Sequence, residues 1–179
     1  MKKYFLLLYF SLFITTIGAQ NSQPAASKTY ALVVGISGYQ DASIPKLNYA
    51  DKDANLFAQW LQSKAGGSVP GYNIKLLTNQ DASIAAVYAA LNWLQDIAGR
   101  NDIVYMYFSG HGDMEIDSAS ISKGYLLAYN SPPNNYSNNA VSINDLNNTA
   151  NILTINNGAK VILITDACHS GKLAGDVFK

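Results

Sequence analysis

Four stretches of the chain are apolar without interruption or nearly so. They span residues 30–36, 73–78, 102–108 and 160–165. Three of them are continuous runs rather than alternating ones. That pattern predicts strands covered on both faces, as in a parallel sheet. The run at 73–78 is shorter and alternates. Between the strands the apolar period lengthens to that of a helix. Residues 51–64 place Ala54, Phe57, Ala58 and Leu61 on one face, and Gly66-Gly67 provides the stop. A second helix starts at Asp81 or Ser83 and runs to Ala98. Its face is Ile84, Val87, Leu91, Leu94 and Ala98, and Gly99 ends it. A third, weaker helix starts at 142–146, and the asparagines at 147, 148, 151, 156 and 157 blur its end. Strands alternating with helices predict crossover units around a doubly covered sheet. Residues 113–141 are rich in Ser, Asn and Pro and read as a long loop with one short strand at 124–127. Long loops in compact α/β domains tend to be functional.

The N-terminus breaks this pattern. Lys2 and Lys3 precede a mostly apolar run from Tyr4 to Ile14, and Gly18-Ala19 before Gln20 offers a cleavage site. Residues 1–19 therefore read as a secretory signal peptide, too short to span a bilayer. Residues 20–28 read as a linker and 29–179 as a single domain. The expected compartment is periplasmic or extracellular, with no membrane span after cleavage.

Composition narrows the function. The chain is 49% apolar and 13% charged, so it can bury a core. It carries 12 basic and 12 acidic residues. Removing Lys2 and Lys3 leaves 10 against 12, a net −2, and there is no basic surplus for nucleic acid. One cysteine, Cys168, and two histidines, His111 and His169, leave no intramolecular disulfide and too few ligands for a structural zinc site. A lone cysteine in an exported protein calls for a partner chain or a reactive thiol.

In open α/β sheets ligands bind at the carboxyl ends of the strands. The third strand runs into Ser109-Gly110-His111-Gly112 and the fourth into Asp166-Ala167-Cys168-His169. Adjacent parallel strands bring His111 and Cys168 together across 57 residues of sequence. A thiol beside an imidazole is the arrangement nucleophilic catalysis needs. The N–H groups of Gly112 and Cys168 could face a developing oxyanion.

The segments 107–112 and 166–171 together resemble the caspase superfamily of cysteine peptidases, in its metacaspase-like (bacterial orthocaspase) branch. Residues 31–39 and 47–54 are also similar to that family's first strand and first helix. The resemblance implies a three-layer αβα sandwich around a mainly parallel sheet. It implies His111 as general base and acid and Cys168 as nucleophile. It implies an acidic pocket, lined by Asp53, Ser109 and Asp166, for the residue before the cleaved bond. Two carboxylates select Lys or Arg by charge pairing. Caspases proper bind Asp through arginines, and Arg100 stands far from both motifs. His169 reads as structural. A carboxylate such as Asp166 at the end of a buried strand is expected to need a partner.

No cofactor is required by the sequence. Calcium activation is common in the resembled family, and Asp113, Glu115 and Asp117 form an acidic cluster that either binds calcium or is an ordinary solvated loop. The family fold continues past its cysteine, so the chain to Lys179 corresponds to the large-subunit half. The expected partners are peptide or protein substrates and a C-terminal small-subunit segment. The last strand, 160–165, is then expected at a bare sheet edge. Two further readings keep the fold and change the function: a non-catalytic binding or assembly module, and a transpeptidase or amidase acting on envelope peptides. A flavodoxin-like ligand binder is weakened by the missing phosphate-cradling glycines.

Overall fold

A computed structural model describes residues 26–116 and 120–167. The expected signal peptide (1–19), Asp117, Cys168, His169 and Lys179 lie outside the described residues, as does all of the linker (20–28) before residue 26.

The four apolar runs form one parallel sheet. The strands are β1 (Thr29–Gly35), β2 (Ile74–Thr78), β3 (Ile103–Gly110) and, at the far side, β7 (Lys160–Ala167), in the order β2-β1-β3-β7. Helix α1 (Ala50–Gln62) joins β1 to β2, and α2 (Ile84–Ile97) joins β2 to β3. The chain moves one way across the sheet from β1 to β2 and the other way from β2 to β3. Right-handed crossovers in opposite directions put their helices on opposite faces. The packing shows this. Ala54, Ala58 and Leu61 of α1 cluster with Ala31 and Val33. Val87, Leu91 and Leu94 of α2 cluster with Leu32, Val34, Val104 and Met106. The α2 face also receives Leu146 of α3 (Ile143–Asn151). The result is the expected three-layer α/β/α arrangement.

Local chemistry explains the helix ends. The Ser83 hydroxyl accepts from Ala86 N–H at 3.3 Å and starts α2, one of the two starts expected. At its other end, the Asn157 side-chain amide donates to the carbonyls of Gln95 and Ala98 at 2.7 and 2.9 Å. Those carbonyls have no partner within the helix. The asparagine-rich stretch that blurred α3 thus serves α2. After α3 the chain runs through one wide turn of π-helix, Ile152–Asn156.

The loop expected over 113–141 is a correction. It contains a second, antiparallel sheet of β4 (Gly112–Ile116), β5 (Ser122–Leu126) and β6 (Val141–Ser142). The short strand expected at 124–127 is β5, displaced by one or two residues. β4 is five residues long and carries two carboxylates, so its sequence resembles a solvated loop. Pairing with β5, which sets Glu115 opposite Lys123, makes it a strand. β7 is the edge of the parallel sheet among the described residues, with Ile162 exposed.

Candidate active site

The sheet order reverses between β1 and β3. The loops leaving these two strands part in opposite directions and open a crevice at their carboxyl ends. Gly35 and Gly110 let the walls approach. A Cβ on Gly35 would lie 2.3 Å from the Ala50 carbonyl oxygen and 2.4 Å from the Ala54 Cβ, so α1 begins directly against β1. A Cβ on Gly110 would lie 3.0 Å from the Tyr39 hydroxyl.

The loop 36–49 forms one lip. Asn79, at φ 47°, accepts from the N–H groups of Ser37 and Gly38 at 2.9 and 3.0 Å. Its amide donates to Asp51 at 3.1 Å, and the Ser37 hydroxyl donates to the same carboxylate at 2.6 Å. The Ser37 hydroxyl, more than Asn79, holds the Asp51 carboxyl below its usual range. The loop start is thereby clamped to the start of α1.

His111 sits between this loop and β4. Its backbone N–H donates to the Tyr39 hydroxyl at 2.7 Å, and the two rings pack at 5.3 Å. Burial pushes the Tyr39 hydroxyl up to about 12, so it stays neutral near pH 7. His111 Nε2 lies 2.8 Å from the Pro45 carbonyl oxygen. A carbonyl only accepts, so Nε2 carries the proton and Nδ1 is the nitrogen free to take one. Tyr39 and Pro45 went unread in the sequence, because an accepting hydroxyl and a backbone carbonyl leave no motif.

The other expected residues gather here. A cleft of about 330 Å³ is lined by Tyr49, Asp53, Ser109, His111, Asp166 and Ala167, among others. Ser109 is buried and Asp53 half-buried. Asp166 is exposed at the end of β7, where it lines the cleft. Tyr107, on the same strand face as Ser109, adds a phenol the sequence did not single out. Burial raises its pKa foremost, and the charges of Asp53 and Asp166 raise it further. Gly110 pairs with Ala167 in the β3–β7 register, so the residues preceding His111 and Cys168 stand side by side.

Gly112 opens β4. Leu127 N–H donates to the His111 carbonyl at 2.9 Å. Antiparallel pairs alternate between hydrogen-bonded and not, so the next bonded pair is Asp113 with Tyr125. Gly112, opposite Leu126, falls between them, and its N–H points away from β5. Met114, at the equivalent phase, gives its N–H to the Asp113 carboxylate at 2.7 Å.

The acidic stretch does not assemble into a metal centre among the described residues, where no group of three or more His, Cys, Asp or Glu side chains converges. Of the three acidic residues after His111, Asp113 and Glu115 lie in β4, and Asp117 is outside the described residues.

The sequence profile of peptidase family C14, the caspase domain, matches residues 28–178. The chain belongs to the caspase-domain family. A crystal structure of a protein from Geobacter sulfurreducens, a structural-genomics target, superposes with a TM-score of 0.63 at 20% identity. The superposition covers 80% of this chain and 51% of that one. At that identity the likeness concerns the fold, and the caspase-domain chain spans about half the length of the protein it matches. No curated protein matches the chain. Membership places the chain in a family of cysteine peptidases.

Proposed function

We propose that this caspase-domain protein is an exported cysteine endopeptidase of the metacaspase-like branch, cleaving after Lys or Arg. One observation carries the reading: His111, Asp53, Asp166 and Ala167 line one cleft, and Cys168 is the next residue in the chain. The two carboxylates give it the sign that a guanidinium or ammonium requires. The single arginine, Arg100, lies at the opposite end of the sheet, before β3, and cannot supply the cationic pocket an Asp-directed enzyme needs.

The reaction is acyl transfer. His111 Nδ1 takes the thiol proton while the Pro45 carbonyl holds the Nε2 proton and stabilises the cation that forms. The Cys168 thiolate attacks the carbonyl carbon, and the oxyanion rests on the N–H groups of Gly112 and Cys168. As the C–N bond breaks, His111 returns its proton to the departing amine. A water molecule then attacks the thioester, releases the acid and restores the thiol.

The test uses the full-length gene product with fluorogenic peptides ending in Arg, Lys or Asp, with and without calcium. Arg and Lys peptides are expected to be cleaved, and Cys168→Ala to abolish cleavage. Asp166→Asn removes one charged partner worth about 1.5–3 kcal/mol, and kcat/KM for Arg is expected to fall about 10- to 100-fold. Cleavage after Asp would overturn the pocket and keep the dyad. A chain that cleaves nothing, with a thiol that resists alkylation, would be a binding module instead.

A further inference from the structure

His111 lines more than one cavity. One is the acidic cleft that holds Asp53 and Asp166. A second, of about 200 Å³, lies on the β4 side and is lined by Ile44, Pro45, His111, Asp113, Leu127 and Tyr136. We infer that this second cavity receives the peptide segment just after the scissile bond, and that Asp113 makes it favour basic residues there.

The inference rests on the peptidase reading above and extends it to the other side of the cut. In that reaction the acyl half of the substrate is fixed in the Asp53 cleft. The leaving nitrogen must reach His111 to be protonated. The chain continuing from that nitrogen therefore passes the imidazole and meets the walls behind it. Those walls are built to be rigid. Ile44 and Leu127 are buried and give an apolar floor. The Asp113 carboxylate is fixed at both oxygens: Oδ1 accepts from Met114 N–H at 2.7 Å, and Oδ2 faces the Tyr136 hydroxyl at 2.9 Å. That hydroxyl also lies 2.7 Å from the Pro133 carbonyl. Tyr136 is 5% exposed, and burial first, then Asp113, pushes its hydroxyl up to about 12, so it remains a neutral donor. Asp113 itself is exposed. Glu115, the next residue on that face of the strand, stands opposite Lys123, so the charge offered to the cavity is that of Asp113.

The test uses internally quenched peptides with Arg before the scissile bond and Lys, Ala or Glu in the first two positions after it. The expected order of kcat/KM is Lys above Ala above Glu. An exposed charge pair is worth about 0.2–1 kcal/mol, so exchanging attraction for repulsion gives a Lys-to-Glu ratio of about fivefold. Asp113→Asn should bring that ratio close to one. Without any variant, raising the ionic strength to about 1 M, where the Debye length is about 3 Å, should compress the wild-type ratio in the same way. A wild-type ratio of one, or a ratio that survives both Asp113→Asn and high salt, overturns the inference. An Arg fluorogenic amide has no residue after the bond. Its cleavage by the wild-type protein upholds the peptidase reading whatever the peptide series shows, whereas failure to cleave any substrate overturns both.

Discussion

Gly35 is the point where the site's scaffold is most sensitive to one carbon atom. In Gly35→Ala the new Cβ would meet the Ala50 carbonyl oxygen at 2.3 Å, the Ala54 Cβ at 2.4 Å and the Ala50 carbonyl carbon at 3.0 Å. All three atoms belong to α1 at or next to its backbone, so no flexible side chain can swing away. Relaxed carbon contacts need about 3.5–4.0 Å, so the first turn of α1 must retreat by about 1 Å. That turn carries Ala54, which is fully buried, and Asp53, which lines the acidic cleft. It is also tied to Ser37 and Asn79 through Asp51, which resists the movement. Overpacking of this kind costs about 1–3 kcal/mol, and the rigidity of the neighbours places this case at the upper end. With a urea dependence of about 2 kcal/mol per M, the denaturation midpoint is expected to fall by about 1–1.5 M with an unchanged slope. Gly38→Ala is the matched control, because nothing lies within 4 Å of its added Cβ. It is expected to change stability by about 0.5 kcal/mol or less. With an Arg peptide, Gly35→Ala should raise KM more than it lowers kcat, because Asp53 is displaced and His111 is not. Equal midpoints for the two alanine variants would refute the claim that α1 is seated on Gly35.

Two other perturbations probe the lip of the site. Tyr39→Phe leaves the His111 N–H without its acceptor and is expected to cost about 1–3 kcal/mol. Because burial lifts the Tyr39 hydroxyl from 10.0 to about 12, the folded chain keeps a proton there that the unfolded chain loses. This contribution is complete below pH 10 and is lost as pH rises toward 12, and Tyr88 and Tyr136 act in the same sense. Urea midpoints measured between pH 9 and 11.5 should therefore fall less steeply in Tyr39→Phe. Asn79→Ala removes the acceptor of two loop N–H groups and a donor to Asp51, and should destabilise by about 2 kcal/mol. The Asp51 carboxyl, now held low mainly by Ser37, contributes stability above the ordinary carboxylate value that fades as pH falls through the lowered one. An NMR titration of Asp51 in Asn79→Ala should show its midpoint moving up toward the ordinary value.

What the sequence determined by itself was whatever short-range patterning can encode. Unbroken apolar runs marked three of the four parallel strands, because a strand covered on both faces has no polar side to show, and a shorter alternating run marked β2. Helical spacing marked α1 and α2, down to the buried faces at Ala54, Ala58 and Leu61 and at Val87, Leu91 and Leu94. The two motifs at strand ends singled out His111, Ser109 and Asp166, which the β3–β7 register brings to one cleft. Tertiary structure alone decided three things. It made β4 a strand, because a five-residue acidic segment gains strand character only from the hairpin partner that satisfies its backbone. It selected Tyr39 and Pro45 to hold His111, through a hydroxyl and a carbonyl whose positions depend on how the loop after β1 is clamped. And it placed Asp113 behind the imidazole, converting a residue that read as part of an acidic cluster into the wall of a second cavity. In each case the partner lies many residues away in the chain. Its effect arises from distance in space, which the order of side chains along one segment does not contain.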